Sequence, residues 1–231
     1  MGKCLFMRKG ETHSKPSIGY LASELAEGSI VYLNENGSPV EFYIAKHDYE
    51  SDLNGTGRTL LVRKDIYGKH YWNGTSTGGN RYADSTVNTY LNDTYKSVLD
   101  ANVQSVISET QFKYTPNGTS SSPYPAVTTL SRPVFLLSLT EVGLSHTRAR
   151  VEGSKLPTAD ILRVAYYNGN ASTYATRTPR YNDRDYAFGV RSDGTTVDEF
   201  AVKVAEISVR PCFTLPSNAL FDKKTLQFKG V

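Results

Sequence analysis

Five Asn-Gly dipeptides, beginning at Asn36, Asn54, Asn73, Asn117 and Asn168, punctuate a chain of 231 residues. Asn and Gly tolerate the left-handed backbone conformation that tight reversals demand, where most side chains clash. A chain interrupted this often reads as short strands joined by loops. Ser29–Leu33 and Val40–Ile44 flank Asn36-Gly37, which predicts a β-hairpin. Further strands are expected at Thr59–Arg63, Ala187–Arg191, Phe200–Val204 and Ile207–Phe213, with a turn at Ser192-Asp193-Gly194. Pro133–Ser138 is the most apolar run and predicts a buried strand.

Helical signals are fewer. Ser85 is an N-cap candidate ahead of Val87, Tyr90, Leu91 and Val98-Leu99, which recur at helical spacing. A second short helix is expected over Asn102–Ile107, and a single turn over Ser23–Glu27 stopped by Gly28. Thr115–Thr128, rich in Pro, Ser and Gly, predicts a long surface loop. Residues 1–15 are polar and aperiodic and read as an N-terminal arm, leaving 16–231 as one domain. The expected class is α+β, strand-dominated, with one or two helices and long polar loops.

Several function classes lack their signatures. A formal net charge of +3, with basic residues scattered, gives no footprint for nucleic acid. No apolar run approaches the ~20 residues that span a bilayer. The start carries no secretory signal, so synthesis in a cytoplasm is expected. His13, His47, His70 and His146 stand far apart and away from Cys4 and Cys212, so no metal is assigned. The two cysteines read as free thiols, although their pairing stays open. Nucleophile elbows, phosphate loops and dinucleotide fingerprints are missing, and Gly74–Gly79 reads as a flexible loop. Asp183/Asp185 and Asp198/Glu199 read as solvated loop charge, in preference to acid–base pairs or a Ca²⁺ site. No catalytic residue and no cofactor is expected.

Tyrosine is over-represented: there are 16, and five fall between Tyr166 and Tyr186. Tyr presents a rigid apolar ring with a polar tip, and with Asn, Ser and Arg on loops it makes adaptable contact surfaces. The candidate ligand-binding residues are therefore Tyr174, Thr176, Tyr181, Asn182, Asp183, Arg184, Asp185, Tyr186 and Phe188. The alternative is a loop-rich edge whose tyrosines pack on the sheet.

The chain also resembles an uncharacterised domain family of phages and prophages of gut bacteria. The resemblance rests on the opening Met1–His13, on Asp84–Asn92, on Val134–Ser138 with Glu141, and on Val209-Arg210-Pro211. That family usually carries Trp-Leu-Arg-Ser-Pro before a Tyr/Asn/Ser-rich stretch, then Gly-Val-Arg-Pro. Here these become Ala175-Thr176-Arg177-Thr178-Pro179 and Ser208-Val209-Arg210-Pro211, so the loss of Trp and Leu puts the usual packing of that strand in question. The resemblance implies structural roles for Arg177, Pro179, Arg210 and Pro211. It implies a C-type-lectin-like fold, shared with formylglycine-generating enzymes and with target proteins of diversity-generating retroelements.

The implied function is a non-catalytic virion protein on the particle surface. Its Tyr/Asn-rich face would recognise a host-surface glycan or protein, and its arm would dock on other virion proteins. A capsid or tail decoration protein is the alternative. A formylglycine-generating-type enzyme is a weaker one, because those enzymes use paired cysteines near the C-terminal region and only Cys212 stands there. Trimers are common among phage fibres, though no residue here demands one.

Overall fold

The computed structural model describes residues 19–74, 79–195, 197–203 and 206–231. The expected arm 1–15, with Cys4 and His13, lies outside them, as do residues 75–78 of the glycine-bearing loop and the last residue of the strand expected at Phe200–Val204. β1 (Gly19–Leu21) is followed by β2 (Ile30–Glu35) and β3 (Ser38–His47), the expected hairpin, with φ of 49° and 76° at Asn36 and Gly37. A helical turn, α1 (Ser51–Asn54), precedes β4 (Arg58–Arg63) and β5 (Gly68–Tyr71). Then come the longest helix, α2 (residues 86–98), and a short α3 (Ala101–Gln104). β6 (Thr110–Tyr114) and β7 (Thr128–Arg132) pair across the long polar loop, and β8 (Val134–Phe135) leads through a long run of turns and irregular chain to α4 (Ala159–Leu162). The second half supplies β9 (Tyr166–Tyr167), β10 (Asn170–Ala171), β11 (Tyr174–Pro179), β12 (Tyr186–Val190) and β13 (Val197–Ala201). The chain ends with β14 (Glu206–Val209), β15 (Cys212–Pro216), β16 (Leu220–Asp222) and β17 (Phe228–Gly230). Strands dominate this α+β fold, and only α2 exceeds two helical turns among the described residues.

A five-stranded sheet, ordered β2-β3-β4-β15-β8, forms the centre. Its middle strands bury Leu60, Leu61 and Val62 against Cys212, Phe213 and Leu215, as strands covered on both faces do. α2 lays Val87, Leu91 and Tyr95 into this core, one residue per turn along one stripe. Ser85 caps it as expected, accepting the Asn88 N–H at 3.1 Å. Leu91–Tyr95 widens into a π-helical turn. There the Asn92 side chain bonds both N and O of Val134 at 3.0 Å, tying helix to sheet.

Two expected strands come out differently. Ile207–Phe213 is broken, because Arg210-Pro211 separates β14, which pairs with β5, from β15 in the central sheet. Proline has no N–H for a ladder, and the break lets the chain change sheets. Pro133–Ser138 is a strand only at Val134–Phe135; the rest is buried chain whose polar groups bond to side chains, Leu136 N–H to the Tyr82 hydroxyl and Ser138 N–H to Glu141.

The four residues to which the resemblance gives structural roles are buried, and the two arginines cross-link the fold. Arg177 spends all five N–H donors: on Glu141 at 2.7 and 3.0 Å, on the Leu136 carbonyl at 2.8 Å, and twice on the Lys113 carbonyl. Burial alone would weaken its charge, but the Glu141 carboxylate outweighs this and holds the guanidinium above its ordinary pKa. Arg210 likewise donates to the carbonyls of Arg63, Lys64 and Leu162. Pro179 ends β11 opposite Ala187, and the Pro211 carbonyl accepts from Arg63 N–H.

Candidate functional site

β11, β12 and β13 form a three-stranded antiparallel sheet, and the loop joining its first two strands, residues 180–185, carries most of the expected contact residues. That loop is held by its backbone. The buried Asn80 side chain offers its amide N–H groups to the carbonyls of Arg180 (3.0 Å), Asp183 (2.8 Å) and Tyr186 (2.6 Å), and its oxygen accepts the Gly118 N–H at 2.8 Å. A Cβ on Gly118 would collide with the Arg180 and Asp183 carbonyl oxygens, so only glycine lets the two loops touch. Thr119 N–H bonds to the Tyr181 carbonyl, and Tyr181 N–H bonds to the Arg148 carbonyl. With its carbonyls tied to the body, the loop turns its side chains outward.

The nine expected contact residues divide. Tyr174, Thr176 and Phe188 are buried, which removes them from the exposed face formed by the other six. The Tyr174 hydroxyl bonds the Leu162 carbonyl beneath the Arg210 guanidinium, and burial pushes its pKa up. Thr176 donates to the Phe188 carbonyl at 2.7 Å, and Phe188 packs under His146. β11 is buried along its whole length, so the alternation that exposes every second residue of a one-sided sheet does not operate there.

Tyr181, Asn182, Asp183, Arg184, Asp185 and Tyr186 do reach the surface together. The Tyr181 ring meets Tyr124 edge-on at 5.0 Å, and the Arg150 guanidinium lies over it at 4.2 Å. Arg180 lies over Tyr186 at 5.5 Å and bonds Asn182 at 3.1 Å. Asp183 accepts the Asp185 N–H at 2.9 Å, and Asp185 pairs with Lys203 at 2.6 Å. Sequence reasoning missed Tyr124, Arg148, Arg150 and Arg180, which surround these residues. Tyr124 was hidden in a loop read only as polar, and Arg148 and Arg150 belong to a segment with no periodicity; only folding brings them to Tyr181.

The face is electrostatically unfinished. Glu199 is approached by Arg180 at 3.4 Å, Arg148 at 3.7 Å and His146 at 3.8 Å. Even so, its Oε1, together with Arg150 Nε and Asn117 Oδ1, is shielded without a hydrogen-bond partner. Such atoms are uncommon in folded proteins and ask for an explanation. No group of three or more His, Cys, Asp or Glu among the described residues could hold a metal ion. No helix among them is long and apolar enough to cross a membrane.

The family model for a domain of unknown function, DUF6273, matches residues 56–217. The chain belongs to this family. The DUF6273 match includes every residue of the face just described, from Asn80 to Glu199. No curated protein and no solved structure matches the chain.

Proposed function

We propose that this DUF6273 protein is a non-catalytic virion protein of a bacteriophage, with a C-type-lectin-like fold. It would use the Tyr124–Tyr181–Tyr186 face to recognise a glycan or protein on the host surface. One observation carries the reading: tyrosine rings capped by Arg150 and Arg180 stand on a loop whose backbone is fixed by Asn80 and Gly118. Aromatic and Arg side chains are the usual anchors of binding surfaces, and a fixed backbone spares the ordering cost of association. The phage setting rests on the sequence resemblance, which also assigns residues 1–15 to attachment. The buried Cys212 supports a non-catalytic role: burial drives its thiol well above the ordinary pKa, and Sγ donates to the Phe135 carbonyl at 3.1 Å. Particles carrying Tyr181→Ala with Arg150→Ala should assemble normally and lose adsorption to host cells. Assembled particles that adsorb normally would overturn this reading, and a failure of the variant to assemble would instead favour a decoration protein whose face meets neighbouring subunits.

A further inference from the structure

A cleft of about 450 Å³ opens where β11 begins, away from the exposed side chains of the Tyr181 face. Three pieces of the fold meet there. The β9–β10 hairpin brings Tyr167 and the following Ser172 and Thr173; β5 and β14 bring Lys69, Glu206 and Ser208; the start of β11, at Tyr174 and Ala175, and Phe200 of β13 are also part of the wall. Pairing places Lys69 opposite Ser208 and Tyr71 opposite Glu206, so these four side chains share one face of the β5–β14 ribbon. The Lys69 ammonium lies 5.7 Å from the Tyr167 ring centre. Neither Lys69 nor Glu206 has an ion-pair partner among the described residues. Tyr71 stands exposed beside Glu206.

We propose that this cleft is a carbohydrate subsite for one or two neutral hexose units. A hexose presents hydroxyls that both donate and accept, and an apolar C–H face. The cleft answers each: an ammonium donor at Lys69, a carboxylate acceptor at Glu206, hydroxyls at Ser172, Thr173 and Ser208, and the rings of Tyr167 and Phe200. Its volume sits at the lower end of the ~300–1,000 Å³ that small-molecule sites span. With one Lys and one Glu among its lining residues, the cleft has no net charge to favour an anion or a cation over a neutral ligand. The inference rests on the proposed recognition role for its biological use, but the two sites share no exposed side chain.

The test is a ¹H–¹⁵N NMR titration of the full chain with glucose, galactose and N-acetylglucosamine at millimolar concentration. Saturable shifts are expected for at least one sugar at Lys69, Tyr167, Ser172, Thr173 and Ser208. Lys69→Ala and Thr173→Trp, which fills the cleft with an indole, should each weaken binding by about tenfold, near 1.4 kcal/mol. If Thr173→Trp does not fold, Lys69→Ala decides alone. Tyr20→Ala, an exposed position of β1 outside both sites, should bind as the parent does. The proposal is overturned by an absence of saturable shifts with all three sugars, or by tighter binding of glucuronic acid or glucosamine than of their neutral parent. Sugar binding lost in Tyr181→Ala but kept in Lys69→Ala would also overturn it, while leaving the recognition role standing.

Discussion

Arg177 and Arg150 each lie over an aromatic ring, at 4.6 Å from Phe112 and 4.2 Å from Tyr181, yet they belong to opposite kinds of environment. Around Arg177 the polar inventory closes: five donors meet five acceptor contacts, and the partner Glu141 also accepts from Tyr49 and from the backbone of Ser138. A guanidinium taken from water is tolerated in the interior only when its lost hydration is replaced so fully. Around Arg150 the inventory stays open, with Nε unpartnered and the ring beneath it half-buried. The same residue types therefore lock the fold at one place and leave a shielded donor unsatisfied beside a half-buried ring at the other. Whether the hydrogen bonds close is what separates the two roles.

The comparison breaks first at the locked end. Glu141→Ala leaves Arg177 charged and buried without its carboxylate, and should lower unfolding free energy by about 3–5 kcal/mol, read as a fall in urea midpoint at constant m-value. A fall within about 0.5 kcal/mol, the surface-substitution range, would mean that closure around Arg177 contributes nothing. Next comes the link between the regions: Asn80→Ala unties three loop carbonyls and should cost about 1–3 kcal/mol. Amide exchange at Gly118 and residues 181–186 should speed up while the central sheet stays protected. Unchanged exchange there would show that the loop holds itself.

Acidity sharpens the contrast further. Burial, then the nearby Glu141, holds the Glu50 carboxyl above its ordinary 4.5, and burial does the same for Glu152. A raised carboxyl binds more protons in the folded chain than in the unfolded one. Stability should therefore fall as pH climbs from the ordinary 4.5 towards the raised folded values, then level off. Glu50→Gln should flatten that slope in thermal melts recorded across this window, and an unaltered slope would assign it elsewhere. The smallest effect belongs to the open end: Tyr181→Ala and Arg150→Ala should each stay within about 1 kcal/mol of the parent. A larger loss would make the face part of the fold.

The strand-dominated class was legible because its signals are local. Asn36-Gly37 and Asn168-Gly169 do reverse hairpins, at φ of 49°, 76°, 50° and 79°, since turn geometry depends on the two residues themselves. Asn117-Gly118 makes no such turn: its glycine answers carbonyls at Arg180 and Asp183, a demand set by tertiary packing. The α2 cap at Ser85 was legible for the local reason, and the break at Arg210-Pro211 was not, because it depends on which sheet each half joins. The site was legible in part. Composition singled out a stretch of which 181–186 come to the surface, but it cannot tell Tyr174 in the interior from Tyr181 at the surface when the strand between is covered on both faces.

Asn80 bonds only main-chain groups, and the main chain is the same whatever side chains it carries. Residues 181–185 can therefore be rewritten extensively while the tether beneath them persists. A library randomised at those positions, with Asn80 and Gly118 retained, would change what is presented and keep the frame that presents it.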